Sequence, residues 1–194
     1  VEAHNHVAGS LRDLNDNVYL TNPGQQTHEV LEPENPYLLD SVAGGITSAL
    51  FIPGSGSNMG GFGMLVKTAG ETVEEMVVRA PGSLKVAQAG NPERYGFGVG
   101  RAMMNWNTRD TLEKGIQWVH DYRAGKAPFN PMYENFQGLV DKTVPVSVHT
   151  QIYQVVMQTI LMQKRDLGLD AFVDHGTFDG FKTGSLAVQY DVPV

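Results

Sequence analysis

The feature that most constrains this chain is an alternation. Short apolar runs, each closed by a turn signal, are separated by longer stretches with helical periodicity. Brief β-branched and apolar runs suit strands buried on both faces, and helices between them supply the crossovers that parallel strands need. The runs fall at residues 1–7 (VEAHNHV), 45–55 (GITSALFIPGS), 83–92 (SLKVAQAGNP), 144–151 (VPVSVHTQ) and 170–178 (DAFVDHGTF), and 191–194 (DVPV) reads as the start of another. Between them, 108–125 offers Thr108 as a cap, Leu112, Ile116 and Val119 at helical spacing, and a glycine stop. The stretch 152–168 sets Val155, Val156, Thr159, Ile160 and Met162 inward and stops at Gly168, while 35–45 and 133–142 read as shorter helices. This alternation predicts βα units around a parallel sheet, with no internal repeat.

Two stretches stand outside the pattern. Residues 8–34 are polar and turn-rich, too long for a simple connector. Residues 53–67 (PGSGSNMGGFGMLVK) follow a strand and are dense in glycine; loops after strands are where α/β proteins keep their chemistry. Composition narrows the choices further. The 194 residues suit a single domain over 1–194. A net charge of −7 with 14 scattered Lys and Arg argues against a nucleic-acid partner, which needs a basic stripe. The absence of cysteine excludes disulfides, thiolate zinc sites and a thiol nucleophile. No run of ~18 apolar residues is present, so no membrane span is expected.

Of the six histidines, His4, His6, His149 and His175 sit at the C-terminal ends of predicted strands. His4 and His6 are two apart, so a strand points both to one face. His149 closes PVSVH and His175 closes AFVDH. Parallel strands of an α/β barrel share one C-terminal rim, where such imidazoles would converge, and neutral imidazole is a common zinc ligand. His120 sits in a helix beside Asp121 and reads as a surface residue; His28 lies in the long first loop, as loop decoration or a substrate contact.

The EAHNH stretch resembles the Asp-x-His-x-His signature of the amidohydrolase superfamily, and VSVHTQ and FVDHGT match the positions of its later metal histidines. The middle of the chain, GGITSALFIPGSGSNMGGFGMLVK and EEMVVRAPGSLKVAQAGNPER, is similar to the imidazolonepropionase-like branch. The resemblance covers nearly the whole chain. It implies a metal-dependent (β/α)8 TIM barrel, with strands one to seven present and the eighth strand and flanking β-sandwich missing, hence an incomplete barrel domain. It also implies a hydrolase that cuts an amide or cyclic amide C–N bond through a metal-activated water. His4, His6, His149 and His175 would hold one or two divalent ions, most often zinc. The family's catalytic Asp would lie beyond Val194.

Where the match departs, other expectations follow. The signature's acid is Glu2, which could orient a metal-bound histidine. Lys85 is the candidate for a bridging ligand, or else an edge or snorkelling residue. Gly90 stands where a carboxylate ligand would be expected. The partners implied are a small amide substrate and either a second copy or a complementing chain that completes the barrel. Relatives of the branch are often exported, which leans the expected location toward the periplasm or secretion. The alternative reading is a non-catalytic metal-binding or interaction subunit. Residues 53–67 lack the Gly-Lys-Ser/Thr ending of a phosphate loop, and Asn58 there is either a substrate contact or part of a turn cluster. Arg79, Arg94 and Arg101 are candidate carboxylate binders or surface residues, and no nucleophile elbow accompanies Ser55, Ser57 or Ser147.

Overall fold

Each apolar run but the last, 191–194, contains a strand, but the strands do not close into one barrel. The computed structural model describes residues 1–10, 12–96 and 98–194. In chain order it has β1 (Glu2–Asn5), α1 (Pro36–Ala43), β2 (Ser48–Phe51), β3 (Met59–Phe62), β4 (Met64–Lys67), α2 (Val73–Met76), β5 (Val77–Arg79), β6 (Leu84–Ala87), α3 (Arg101–Arg123), α4 (Phe136–Val140), β7 (Val146–Thr150), α5 (Tyr153–Ile160), β8 (Ala171–His175) and α6 (Gly184–Tyr190). The strands form two four-stranded sheets, ordered β1-β2-β4-β5 and β3-β6-β7-β8.

The expected (β/α)8 TIM barrel is therefore corrected to an α/β fold of two small mixed sheets. The departure begins in the glycine-dense stretch. It forms β3 and β4 instead of an open loop, and β4 folds back antiparallel on β2, with β5 antiparallel on β4. A parallel continuation needs a crossover of about a dozen residues or more, and here the chain spends that length on a strand of the other sheet. Gly63 makes the switch between β3 and β4. A Cβ there would stand 2.4 Å from Phe51 O, so only glycine lets the two sheets approach this closely. Parallel pairing survives between β1 and β2 and along β6-β7-β8.

Helix boundaries differ as well. Thr108 is not a cap but an interior residue of α3, its hydroxyl donating to Met104 O at 2.9 Å. The stretch 152–168 divides into α5 and a π-helical turn at Leu161–Asp166. The run 191–194 is not a strand, although Pro193 O accepts from Val173 N at 2.8 Å and so lies against β8. Among the described residues no helix is long and apolar enough to cross a membrane.

The main core lies under one face of the second sheet. Leu84, Val86, Val146 and Val148 pack against Leu112, Val119, Phe136 and Leu139 of α3 and α4. Around the first sheet, Phe51, Met64 and Val66 gather Leu14, Leu31, Leu38 and Met76. A third cluster joins Val156 and Ile160 of α5 to Val173, Ala187 and Val192. The α3–α4 contact depends on Gly115, where a Cβ would stand 2.1 Å from Phe136 Cδ1. Gly115→Ala gains about 1 kcal/mol of helix propensity but forces an overpacking that costs typically about 1–3 kcal/mol. With an overlap this deep the second effect wins, so urea unfolding of Gly115→Ala is expected to show a lower midpoint.

Candidate functional site

The two faces of β6-β7-β8 are chemically opposite. One carries the aliphatic residues just described. On the other, alternation places Lys85, Ser147, His149 and Asp174, and the register sets Lys85 beside Ser147 and His149 beside Asp174. Parallel sheets are ordinarily apolar on both faces, so a polar buried face marks chemistry. Lys85 is fully buried, and Asp174 and His149 nearly so.

Asp174 is the centre of this face. Its Oδ2 accepts from Lys85 Nζ at 3.1 Å and lies 3.1 Å from His4 Nδ1, which reaches across from β1. The His4 contact has ion-pair distance without hydrogen-bond alignment. Burial pushes the Asp174 carboxyl up, but His4 and Lys85 outweigh it and the net shift is downward. Burial pushes the Lys85 ammonium down, against the pull of Asp174.

The imidazoles surround this pair. His6 Nδ1 faces Ile52 O at 2.9 Å, and a carbonyl only accepts, so Nδ1 carries the proton. The His6 Nε2 lone pair is thereby turned toward His4 Nε2, 2.8 Å away, which must donate. His149 and His175 stand edge to face with ring centroids 4.5 Å apart, and His175 lies 5.0 Å from His4. His175 has φ +79°, which turns the end of β8 out of the strand path. Burial first, then Lys85 and the neighbouring imidazoles, holds His149 down to about 3 and His175 below its ordinary value. Burial likewise holds His6 down to about 4, against its bond to Ile52. These three imidazoles are neutral near pH 7, the form in which imidazole binds a metal.

The donor chemistry therefore fits a divalent cation. His149 Nε2 is buried without a partner, an orphan that costs about 1–3 kcal/mol while nothing takes it. The spacing is not that of a loaded site. Two nitrogens on one tetrahedral zinc stand about 3.3 Å apart, against 2.8 Å between His4 and His6. Among the described residues no three His, Asp or Glu side chains already stand in a metal-holding arrangement. A cation would have to take the place of the proton shared by His4 and His6 and open the pair by about half an ångström.

The sequence candidates sort clearly. His4, His6, His149 and His175 come together; His28 and His120 are exposed elsewhere. Glu2 accepts from the His4 backbone N–H at 3.1 Å and does not touch an imidazole. Lys85 is neither edge nor snorkelling but fully buried on Asp174. Asn58 is buried, donating to Ala87 O at 2.7 Å and accepting from Asn107, so it braces the structure. Arg101 is occupied by Glu93, and Arg79 by the carbonyls of Thr143 and Gly82. Sequence reasoning missed Asp174: in AFVDH it alternates away from His175, and only the sheet register sets it beside His149. One cleft, of about 390 Å³, lies away from this cluster and is lined by Asp13, Asp16 and Glu29.

No protein-family model matches the chain, and no curated protein does. Among solved structures, an amidohydrolase from Thermotoga maritima MSB8 shares its fold, with a TM-score of 0.90 at 24% sequence identity. The match covers 100% of this chain and 55% of that one, so the chain spans about half the length of its structural neighbour.

The buried charge pair generates a test. Asp174→Ala leaves Lys85 charged, buried and unpaired, which costs about 3–5 kcal/mol. The double variant Lys85→Met, Asp174→Ala removes the stranded charge and is expected to unfold at higher urea than Asp174→Ala alone. A double variant no more stable than the single one would show that the pair is not what holds this face.

Proposed function

We propose that this chain carries the metal-binding part of a hydrolase that cleaves an amide or cyclic amide C–N bond with a metal-activated water. The observation that carries the reading is the gathering of His4, His6, His149 and the exposed His175 near the buried Asp174. The amidohydrolase name of a protein with the same fold supports the choice of reaction. The chemistry a divalent cation such as zinc would supply there is acidification of water and polarisation of a substrate carbonyl.

The residues of the chain divide the remaining work. His4 and His6 would hold the cation from β1, with His6 fixed by Ile52 so that its Nε2 carries the lone pair rather than the proton. His149 and His175 would complete that site or hold a second ion. Asp174 keeps the His4 ring in place and balances Lys85, so the face does not carry an uncompensated ammonium beside an incoming cation. Burial keeps three of the four imidazoles unprotonated, so little proton competition stands against the metal near pH 7.

Zinc content measured by elemental mass spectrometry after desalting tests the reading. One or two equivalents per chain are expected, with His4→Ala and His149→Ala each retaining clearly less. Bound zinc should also raise the thermal midpoint of the unmodified chain, by the logic that a ligand of the native state alone stabilises it. A chain that takes up no zinc, cobalt or manganese after reconstitution is not a metal hydrolase. Uptake that is equal in all three proteins would place the ion elsewhere.

A further inference from the structure

One feature of the polar face is left over by the metal reading. Gly90, in the loop after β6, has φ 82° and ψ −112°, backbone that favours glycine. A Cβ built there would stand 3.2 Å from His149 Nε2 and 3.1 Å from Gln151 Oε1. Two polar atoms from the end of β7 thus face the bare side of one glycine. Gln151 follows the last residue of β7, and its Oε1 comes to the same glycine as His149 Nε2. His149 Nε2 is buried without a partner, and no hydrogen bond joins the half-buried Gln151 carboxamide to another described residue.

The opening is built, not slack. Gly90 N donates to Glu93 Oε1 at 3.1 Å, and Arg101 Nε holds the same oxygen at 2.7 Å. On the other side, Gln88 N donates to His149 O at 3.0 Å. The loop is pinned to α3 and to β7 with its side-chain-free face turned to the imidazole.

A carboxamide oxygen only accepts, so a ligand group that meets it must bring a donor. We infer that Gln151 is a specificity-determining residue that accepts the N–H of an amide ligand across the bare face of Gly90. The site then takes N–H amides ahead of esters and N-alkylated amides. This rests on the proposed amide chemistry and adds to it a residue and a choice among substrates. A site that hydrogen-bonds an N–H discriminates against an analogue without it, because the bound ligand then covers the acceptor and leaves it unpaired.

The test uses the zinc-loaded chain with two probes, acetohydroxamate, which carries an N–H, and N-methylacetohydroxamate, which does not. Calorimetric titration is run on the unmodified protein and on Gln151→Leu, with zinc content and the far-ultraviolet dichroism of each recorded first. The unmodified protein is expected to bind the N–H probe about tenfold tighter or more. Gln151→Leu should keep its zinc and its fold but bind the two probes within about twofold of each other, chiefly by weaker binding of the N–H probe. Equal binding of both probes by the unmodified protein overturns the inference. So does a preference that persists in Gln151→Leu, which would be steric, or loss of zinc from that variant, which would make Gln151 part of the metal's hold. A chain that binds no zinc at all overturns the hydrolase reading and this inference with it, whereas zinc uptake without discrimination overturns the inference alone.

Discussion

The contact on which the rest depends is the Asp174 carboxylate held between Lys85 and His4. It joins a residue of β6, one of β8 and one of β1, and so ties the two sheets together at their polar faces. Burying an ammonium and a carboxylate costs several kcal/mol per ion unless each finds its partner. Lys85 has no exposure through which water could help, so its position is set by Asp174 alone among the described residues. Once that pair is in place, the positive charge of Lys85 bears on His6, His149 and His175, and adds to burial in keeping them neutral. One structural pair thereby sets the protonation state of the surrounding donors.

The loops beyond β7 and β8 show the same concentration of cost. Ile152 at φ 73°, His175 at 79°, Phe178 at 53° and Asp179 at 68° all take left-handed backbone without being glycine. Such conformations cost on the order of 1–3 kcal/mol each and persist only when surroundings over-determine them. Here the two loops hold each other: Ile152 N donates to Thr177 O, Tyr153 N to Phe178 O, and Gly176 N to Thr150 O. The strained residues flank His149 and His175, so the backbone that aims these rings is fixed by cross-loop bonding and not by local preference.

Much of this was written in the sequence at short range and little of it at long range. The strands β6, β7 and β8 follow from alternation and turn signals, and the strand-end histidines follow from the same rule. The glycines of MGGF hid β3, because strand preference resides in side chains that glycine lacks. The start of α3 was hidden for a similar reason. Gly100 precedes it with no side-chain cap, while Thr108, a good cap by type, spends its hydroxyl on Met104. No local signal distinguishes parallel from antiparallel pairing across a long separation. The βα pattern therefore predicts a parallel sheet, to which only the family resemblance adds a barrel, and the return of β4 on β2 carries no local signal. Gly90 and Gln151 are distant in sequence and meet only because β6 and β7 are neighbours.

The polar face also dictates how its members must behave together. The helices α3 and α4 cover the aliphatic side of β6-β7-β8, which leaves the opposite side to be satisfied by whatever faces it. Three pairs form in protein: Ser83 with Ser147 at 3.1 Å, Lys85 with Asp174, and His4 with His6 through their Nε2 atoms. His149 Nε2 and His4 Nδ1 find no hydrogen-bond partner. In a low-dielectric setting each such bond is stronger, and each missing one costlier, than on the surface. Removing any one group strands its neighbour, so the energetic effects of substitutions here cannot add as they do for distant sites. Of the two bare imidazole nitrogens, His149 Nε2 is the one that stands beside a glycine, whose missing side chain keeps the space next to it clear.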